Sequence, residues 1–152
     1  MPIIIETLAE LPSLVGCDLG TSKWHEITQE QVDLFADATG DRQWIHVDPA
    51  RAAAESPFGG TIAHGYLTVS LLGVLLGDIL VTDNMSMAIN YGINRVRFPA
   101  PLPVGSRVRL AATMHSVEAI DGGAQIVVAL TVECDRAHKP VCVAEAVYRY
   151  YD

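Results

Sequence analysis

Between Ile62 and Leu80 the only charged side chain is Asp78, with His64 near the start. A helix apolar on nearly all sides is either a membrane span or buried all round. The stretch approaches the length of a span. His64 and Asp78 inside it, and no second stretch of its kind, make hydrocarbon an expensive environment, so a helix buried in protein is expected. Gly73 and Gly77, one turn apart, would let another backbone approach it closely. Upstream, Val32, Phe35, Ala36 and Ala38 keep helical spacing. Thr28 is the N-cap of this helix, Gln31 completes a capping box, and Ile27 with Val32 forms a hydrophobic staple. Gly40 supplies the left-handed residue that ends it. Asp48-Pro49 opens a second, short helix as cap and first residue, and Ser56-Pro57 closes it.

Downstream the period changes from helix to strand. Ser86 to Phe98 reads as one extended stretch broken at Gly92, and Pro99 to Gly105 as a turn. Val108, Leu110, Ala112 and Met114 alternate along the next strand, and Ile126, Val128, Leu130, Val132 and Cys134 along the one after. Val141 to Tyr151 closes the series after the turn at Arg136–Pro140. Long antiparallel strands following one buried helix imply an α+β fold with the sheet curled around that helix.

With 152 residues the chain fits a single domain over 1–152. Half of the residues are apolar and only 18% are charged, against about 25% in ordinary soluble domains. That deficit implies apolar surface covered by another subunit. The net charge of -8 argues against nucleic acid, which needs a basic patch. The start, MPIIIETLAELP, lacks the basic residues and long apolar run of a signal peptide. Cys17, Cys134 and Cys142 have no zinc-like spacing and read as free thiols. A soluble, cytoplasmic protein with no membrane segment is the expectation.

The candidate chemistry sits between the first two helices. Asp41 follows the helix stop and His46 lies five residues on. A carboxylate and an imidazole can exchange protons with water near neutral pH. On residue type alone, Asp41 is as readily turn chemistry and His46 a satisfied structural group. Asp48, before proline, is read as a helix cap. His25, His115 and His138 have no sequence neighbours that suggest a site. Asp41, His46 and His64 could be metal ligands by residue type, but their spacing matches no ligand pattern, so no metal is expected. Thr61-Ile62-Ala63-His64-Gly65 opens the apolar helix, where unbonded N–H groups and the positive end of the helix dipole can hold an oxyanion. For the Gly65 N–H to be free, the helix must begin near His64 rather than at Thr61.

Phe35-Ala36-Asp37-Ala38-Thr39-Gly40-Asp41 followed by Ile45-His46-Val47-Asp48-Pro49 resembles the hydratase motif of MaoC-like (R)-specific enoyl-CoA hydratases and 3-hydroxyacyl-thioester dehydratases. Ile62-Ala63-His64-Gly65-Tyr66-Leu67 and the run Val96 to Gly105 match the same family, so the resemblance spans most of the chain. It implies a hot-dog fold, a homodimer and reversible hydration of a trans-2-enoyl thioester to an (R)-3-hydroxyacyl thioester in fatty acid metabolism. It also implies Asp41 and His46 as the catalytic pair and Gly65 as the oxyanion residue. His64, Asn90 and Phe98 are candidate walls of the substrate channel. No cofactor is required, since CoA or a carrier pantetheine is part of the substrate. In two places the chain departs from the family. Gln43-Trp44 replaces the frequent Asn-Pro between the pair, and Gly73 stands where some relatives carry a serine, with Ser70 one turn earlier. The competing expectations are a hot-dog thioesterase and a non-catalytic subunit that binds acyl thioesters.

Overall fold

A computed structural model describes the chain from Met1 to Asp152. Its elements are β1 (Ile3–Ile4), a 3₁₀ segment over Leu8–Leu14, β2 (Asp18–Thr21), β3 (His25–Glu26), α1 (Gln29–Thr39), α2 (Trp44–Val47) and α3 (Pro49–Glu55). There follow α4 (Gly65–Gly77), β4 (Leu80–Val81), β5 (Met87–Arg97), β6 (Arg107–Ile120), β7 (Gly123–Cys134) and β8 (Cys142–Tyr151). The main sheet runs β2-β6-β7-β8-β5, with β3 also paired to β6. Every pairing within it is antiparallel. The only parallel pair is the short β1–β4 ladder at the far end of α4. This is the expected α+β arrangement, a curled antiparallel sheet carrying one central helix.

Strand alternation decides which side faces that helix. Val108, Leu110, Ala112 and Met114 of β6 and Ile126, Val128, Leu130 and Val132 of β7 are buried, and so are Leu67, Leu72, Leu75 and Leu76 of α4 in the same core cluster. A strand turns alternate side chains to opposite faces, so one face of the sheet is apolar throughout and α4 lies on it.

The helix differs from expectation in two respects. It spans thirteen residues, Gly65 to Gly77, rather than the whole apolar run. Ile62 and Ala63 are instead extended, Ile62 bridging to Pro103 and the Ala63 N–H donating to the Leu102 carbonyl at 2.8 Å. Nor is it buried all round within one chain. Tyr66, Ser70, Gly73, Val74 and Gly77 are exposed, and their spacing places them on one stripe of the helix. β5 is bare as well. All its residues but Val96 are exposed, Met87, Ile89, Tyr91 and Ile93 among them, and β8 is its only neighbour. The ladder slips between Asn90 and Gly92, where the sequence predicted a break.

The local signals upstream hold more closely. Thr28 caps α1, its hydroxyl accepting from the Gln31 N–H at 3.1 Å; Gln31 returns no side-chain bond, so only half of the expected box forms. Gly40, with φ of 82°, closes the helix through its N–H to Ala36 O. Asp48 caps α3, accepting from the Arg51 N–H at 3.0 Å. The three cysteines are free. Cys134 lies opposite Val108 and Cys142 opposite Val132, and burial pushes the Cys142 thiol up to about 11. No helix is long and apolar enough to cross a membrane.

His25 has a partner that its sequence neighbourhood did not suggest. Its Nε2 donates to Asp78 Oδ2 at 2.8 Å, tying β3 to the C-terminal end of α4. The His25 hydrogen bond is the main cause that holds the Asp78 carboxyl below its ordinary value of 3.8, with burial opposing it. A carboxylate depressed on folding contributes stability that is full above its unfolded value and lost as pH falls through its folded value. The contribution of this pair should therefore fade below about pH 4. Asp78→Asn cannot titrate there, so its melting temperature should fall less than that of the wild type between about pH 5 and pH 3. Parallel falls in the two proteins would show that the tie adds nothing.

Candidate active site

The segment from Gly40 to Gly65 brings the candidate residues together. Asp41 leaves α1 at its left-handed terminus and lies in an exposed loop. Its carboxylate has no side-chain or backbone partner, and its N–H makes only a long 3.3 Å bond to Thr39 Oγ1. Four residues of α2, a single helical turn, then carry His46 inward.

His46 is 6% exposed and held at several points. Its Nδ1 lies 2.6 Å from the Ile62 carbonyl. A carbonyl can only accept, so Nδ1 carries the proton, and in the neutral ring Nε2 keeps a lone pair. The Ile62 N–H in turn donates to Ile45 O at 3.0 Å. Gln29, at the start of α1, donates to the His46 carbonyl at 2.7 Å and accepts from the Thr61 hydroxyl at 2.7 Å. It braces the His46 turn against the segment that leads into α4. Nothing in the sequence marks Gln29, because its partners lie 17 and 32 residues away.

His64 is the N-cap of α4 and is 3% exposed. Its ring stacks on that of His46, centroids 3.9 Å apart and planes inclined by 24°, with Phe35 against it at 4.9 Å. Its Nε2 donates to the Asp41 carbonyl at 2.8 Å, and its Nδ1 is buried without a partner. One ligand-type atom from each of Asp41, His46 and His64 lies within 4.8 Å of the others. That proximity suits shared protons and water better than a metal. Imidazole lone pairs lie in the ring plane, so two stacked rings cannot both aim at one ion about 2 Å away.

The helix end has the form that the sequence argument required. α4 begins at Gly65, and its first backbone bonds run from Leu67 and Thr68 to the His64 carbonyl at 3.1 and 3.3 Å. The Gly65 and Tyr66 N–H groups precede that ladder and are the unbonded donors of the terminus. The ring of Phe98 closes over Gly65 so tightly that a Cβ there would sit 2.9 Å from it. Gly65, Phe98, Phe58 and Thr68 share a cavity of about 320 Å³. Asn90 lies elsewhere, in a mainly apolar cavity of about 250 Å³ with Val69, Leu72, Gly73, Ile93 and Tyr148. The three candidate channel residues thus fall in different places, Phe98 over the helix end, Asn90 further along α4, and His64 behind the pair.

A family model described as "MaoC like domain" matches residues 10–137. The chain is 53% identical to 3-hydroxyacyl-thioester dehydratase Z of Mycobacterium tuberculosis, over 95% of this chain and 96% of that one. Among solved structures, a monoamine oxidase regulatory protein from Archaeoglobus fulgius superposes with a TM-score of 0.76 over 100% of this chain and 98% of that one, at 21% identity. An (R)-hydratase from A. caviae does so with a TM-score of 0.67 over 88% and 94%, at 25% identity. The resemblance read from the loop and helix motifs therefore extends to the whole fold: the chain belongs to the MaoC-like dehydratase family and is a hot-dog-fold enzyme.

Proposed function

We propose that the protein, acting as one hot-dog unit over residues 1–152, catalyses the reversible hydration of trans-2-enoyl thioesters to (R)-3-hydroxyacyl thioesters in fatty acid metabolism. The observation that carries this reading is the clustering of Asp41, His46 and His64 at the residue that caps α4, directly before the helix-terminal Gly65. The thioester oxygen sits at the helix terminus, where the Gly65 N–H and the helix dipole stabilise the enolate charge that develops on it. That polarisation makes the β-carbon electrophilic. One water lies between the Asp41 carboxylate and His46.

The tautomer of His46 decides the division of labour within the pair. With the proton on Nδ1, Nε2 is the group ready to accept a proton. His46 takes a proton from the water as its oxygen attacks the β-carbon, and returns it to the α-carbon. Asp41 accepts the water's second hydrogen in a hydrogen bond and steadies the transient imidazolium. One water is consumed and no electron is transferred, so the step needs no redox group, and the helix terminus supplies the polarisation of the carbonyl. The acyl chain runs toward the apolar cavity beside Gly73, which begins one to two turns along α4, about 6–12 Å from Gly65. A second copy of the chain covers the bare stripe of α4 by pairing β5 edge to edge, the form in which sheets close exposed edges. The protein works in the cytoplasm, as a soluble homodimer.

Purified protein should consume the enoyl absorbance of a trans-2-enoyl-CoA without releasing thiol. Thiol release would identify a thioesterase, and binding without either change a non-catalytic subunit. Asp41→Asn and His46→Gln should each lower hydration by about two to four orders of magnitude with the fold intact. Asp48→Asn should stay near wild type, because asparagine caps a helix as well as aspartate does. The reverse pattern would place the acid elsewhere. Gly65→Val should lower turnover by about 10²–10³ through blocked access to the oxyanion donor. Its melting temperature should change little, since the nearest atoms a Cβ meets belong to the exposed ring of Phe98. A destabilised variant with normal turnover would remove the oxyanion role. Light scattering at micromolar concentration should return twice the chain mass; a monomer would contradict the pairing of β5.

A further inference from the structure

His46 is held at both its ring and its carbonyl, whereas Asp41 has an exposed side chain, an unpartnered carboxylate and one weak bond at its N–H. Its one short bond is the 2.8 Å bond from His64 Nε2 to its carbonyl. We infer that His64 is the positioning residue for Asp41, fixing the carboxylate-bearing loop to the first turn of α4. The inference rests on the proposed roles of Asp41 and His46.

Three observations favour this over simple packing. First, His64 occupies a site where a hydrocarbon ring would suffice for volume, wedged between Phe35 and the His46 ring. Second, keeping a histidine there leaves Nδ1 buried without a donor, a cost that phenylalanine or leucine would avoid. The imidazole offsets that cost only through its other nitrogen, the one bonded to Asp41. Third, His64 is the N-cap of α4, directly before Gly65. A single residue therefore sets the distance between the loop carrying Asp41 and the donors of the helix terminus. Shifts of about 1 Å in such a distance are enough to cost about two orders of magnitude in rate.

His64→Phe and His64→Gln separate the two roles, since phenylalanine keeps the ring but loses the donor, and glutamine keeps an amide donor near the position of Nε2 but loses the ring. If His64 positions Asp41, His64→Phe should lose kcat by about 10- to 100-fold with KM within about twofold, and His64→Gln should retain more of kcat than His64→Phe. Amide hydrogen exchange read without substrate should quicken across Gly40–Asp48 in His64→Phe and remain closer to wild type in His64→Gln. A residue that only packs predicts the opposite order in both readouts, and that order would overturn the inference. If the wild type hydrates no enoyl thioester, the proposed reaction fails, while the exchange comparison still decides what His64 does.

Discussion

The structure depends on a helix that is apolar on every face and so has no side it can leave to water. The sheet covers the side carrying Leu67, Leu72, Leu75 and Leu76. A six-stranded sheet curled over a single helix reaches only part of the way round, and the stripe from Tyr66 to Gly77 stays bare. Tyr66 and Val74 are 74% and 66% exposed, more than isolated surface residues explain. The edge strand beside that stripe is equally uncovered. The second copy proposed above would cover both, and a surface covered in that way fits the low share of charged residues.

That helix also organises the chemistry, because its N-terminus is polar by construction and presents N–H donors and the positive end of the dipole. Its leading N–H groups need acceptors that the chain does not supply. The residues before it, Thr61 to His64, are drawn out of the helix and clamped by Pro103, Leu102 and Ile45. Each clamp also holds part of the acid/base loop. The Ile62 carbonyl accepts from the His46 Nδ1–H, the Thr61 hydroxyl donates to Gln29, and His64 donates to the Asp41 carbonyl. Packing of the core and alignment of the site are consequently one event, and an error in where α4 starts would displace all three groups together.

How far the sequence discloses this depends on the range of each interaction. Thr28, Gly40 and Asp48-Pro49 act on backbone within four residues, so the ends of α1 and the start of α3 could be read directly. Alternation exposed β6, β7 and β8 because each has one wet and one dry face. The start of α4 was harder to read. Ile62 and Ala63 are as apolar as the helix that follows, and periodicity cannot separate buried helix from buried extended chain. β1, β2 and β3 are two to four residues long and exist only through distant partners, leaving no period to detect. Asp41, His46 and Gly65 were candidates on residue type and helix-end physics, and the family motif singled them out; the bonds of Gln29 and of His64 span 17 to 32 residues and left no local signal.

The two departures from the family pattern can now be weighed by their surroundings. Gln43 N-caps α2 without a side-chain bond, and Trp44 lies against Arg51 at 4.3 Å. The α2 turn is therefore braced by an aromatic ring stacked on the next helix, where a proline would have stiffened the backbone itself. A hydroxyl at position 73 would face Asn90 and Tyr148, since a Cβ there lies 3.7 Å from Asn90 Oδ1 and 3.9 Å from the Tyr148 ring. Glycine instead leaves that room to the 250 Å³ cavity. Ser70, one turn earlier, donates its hydroxyl to the Tyr66 carbonyl at 2.7 Å and keeps its oxygen lone pairs for a polar role. Both changes leave Asp41, His46 and the Gly65 N–H in place. They fall on the bracing of the loop and on the cavity that the proposed mechanism gives to the acyl chain, and so bear on rate and chain length more than on the type of reaction proposed.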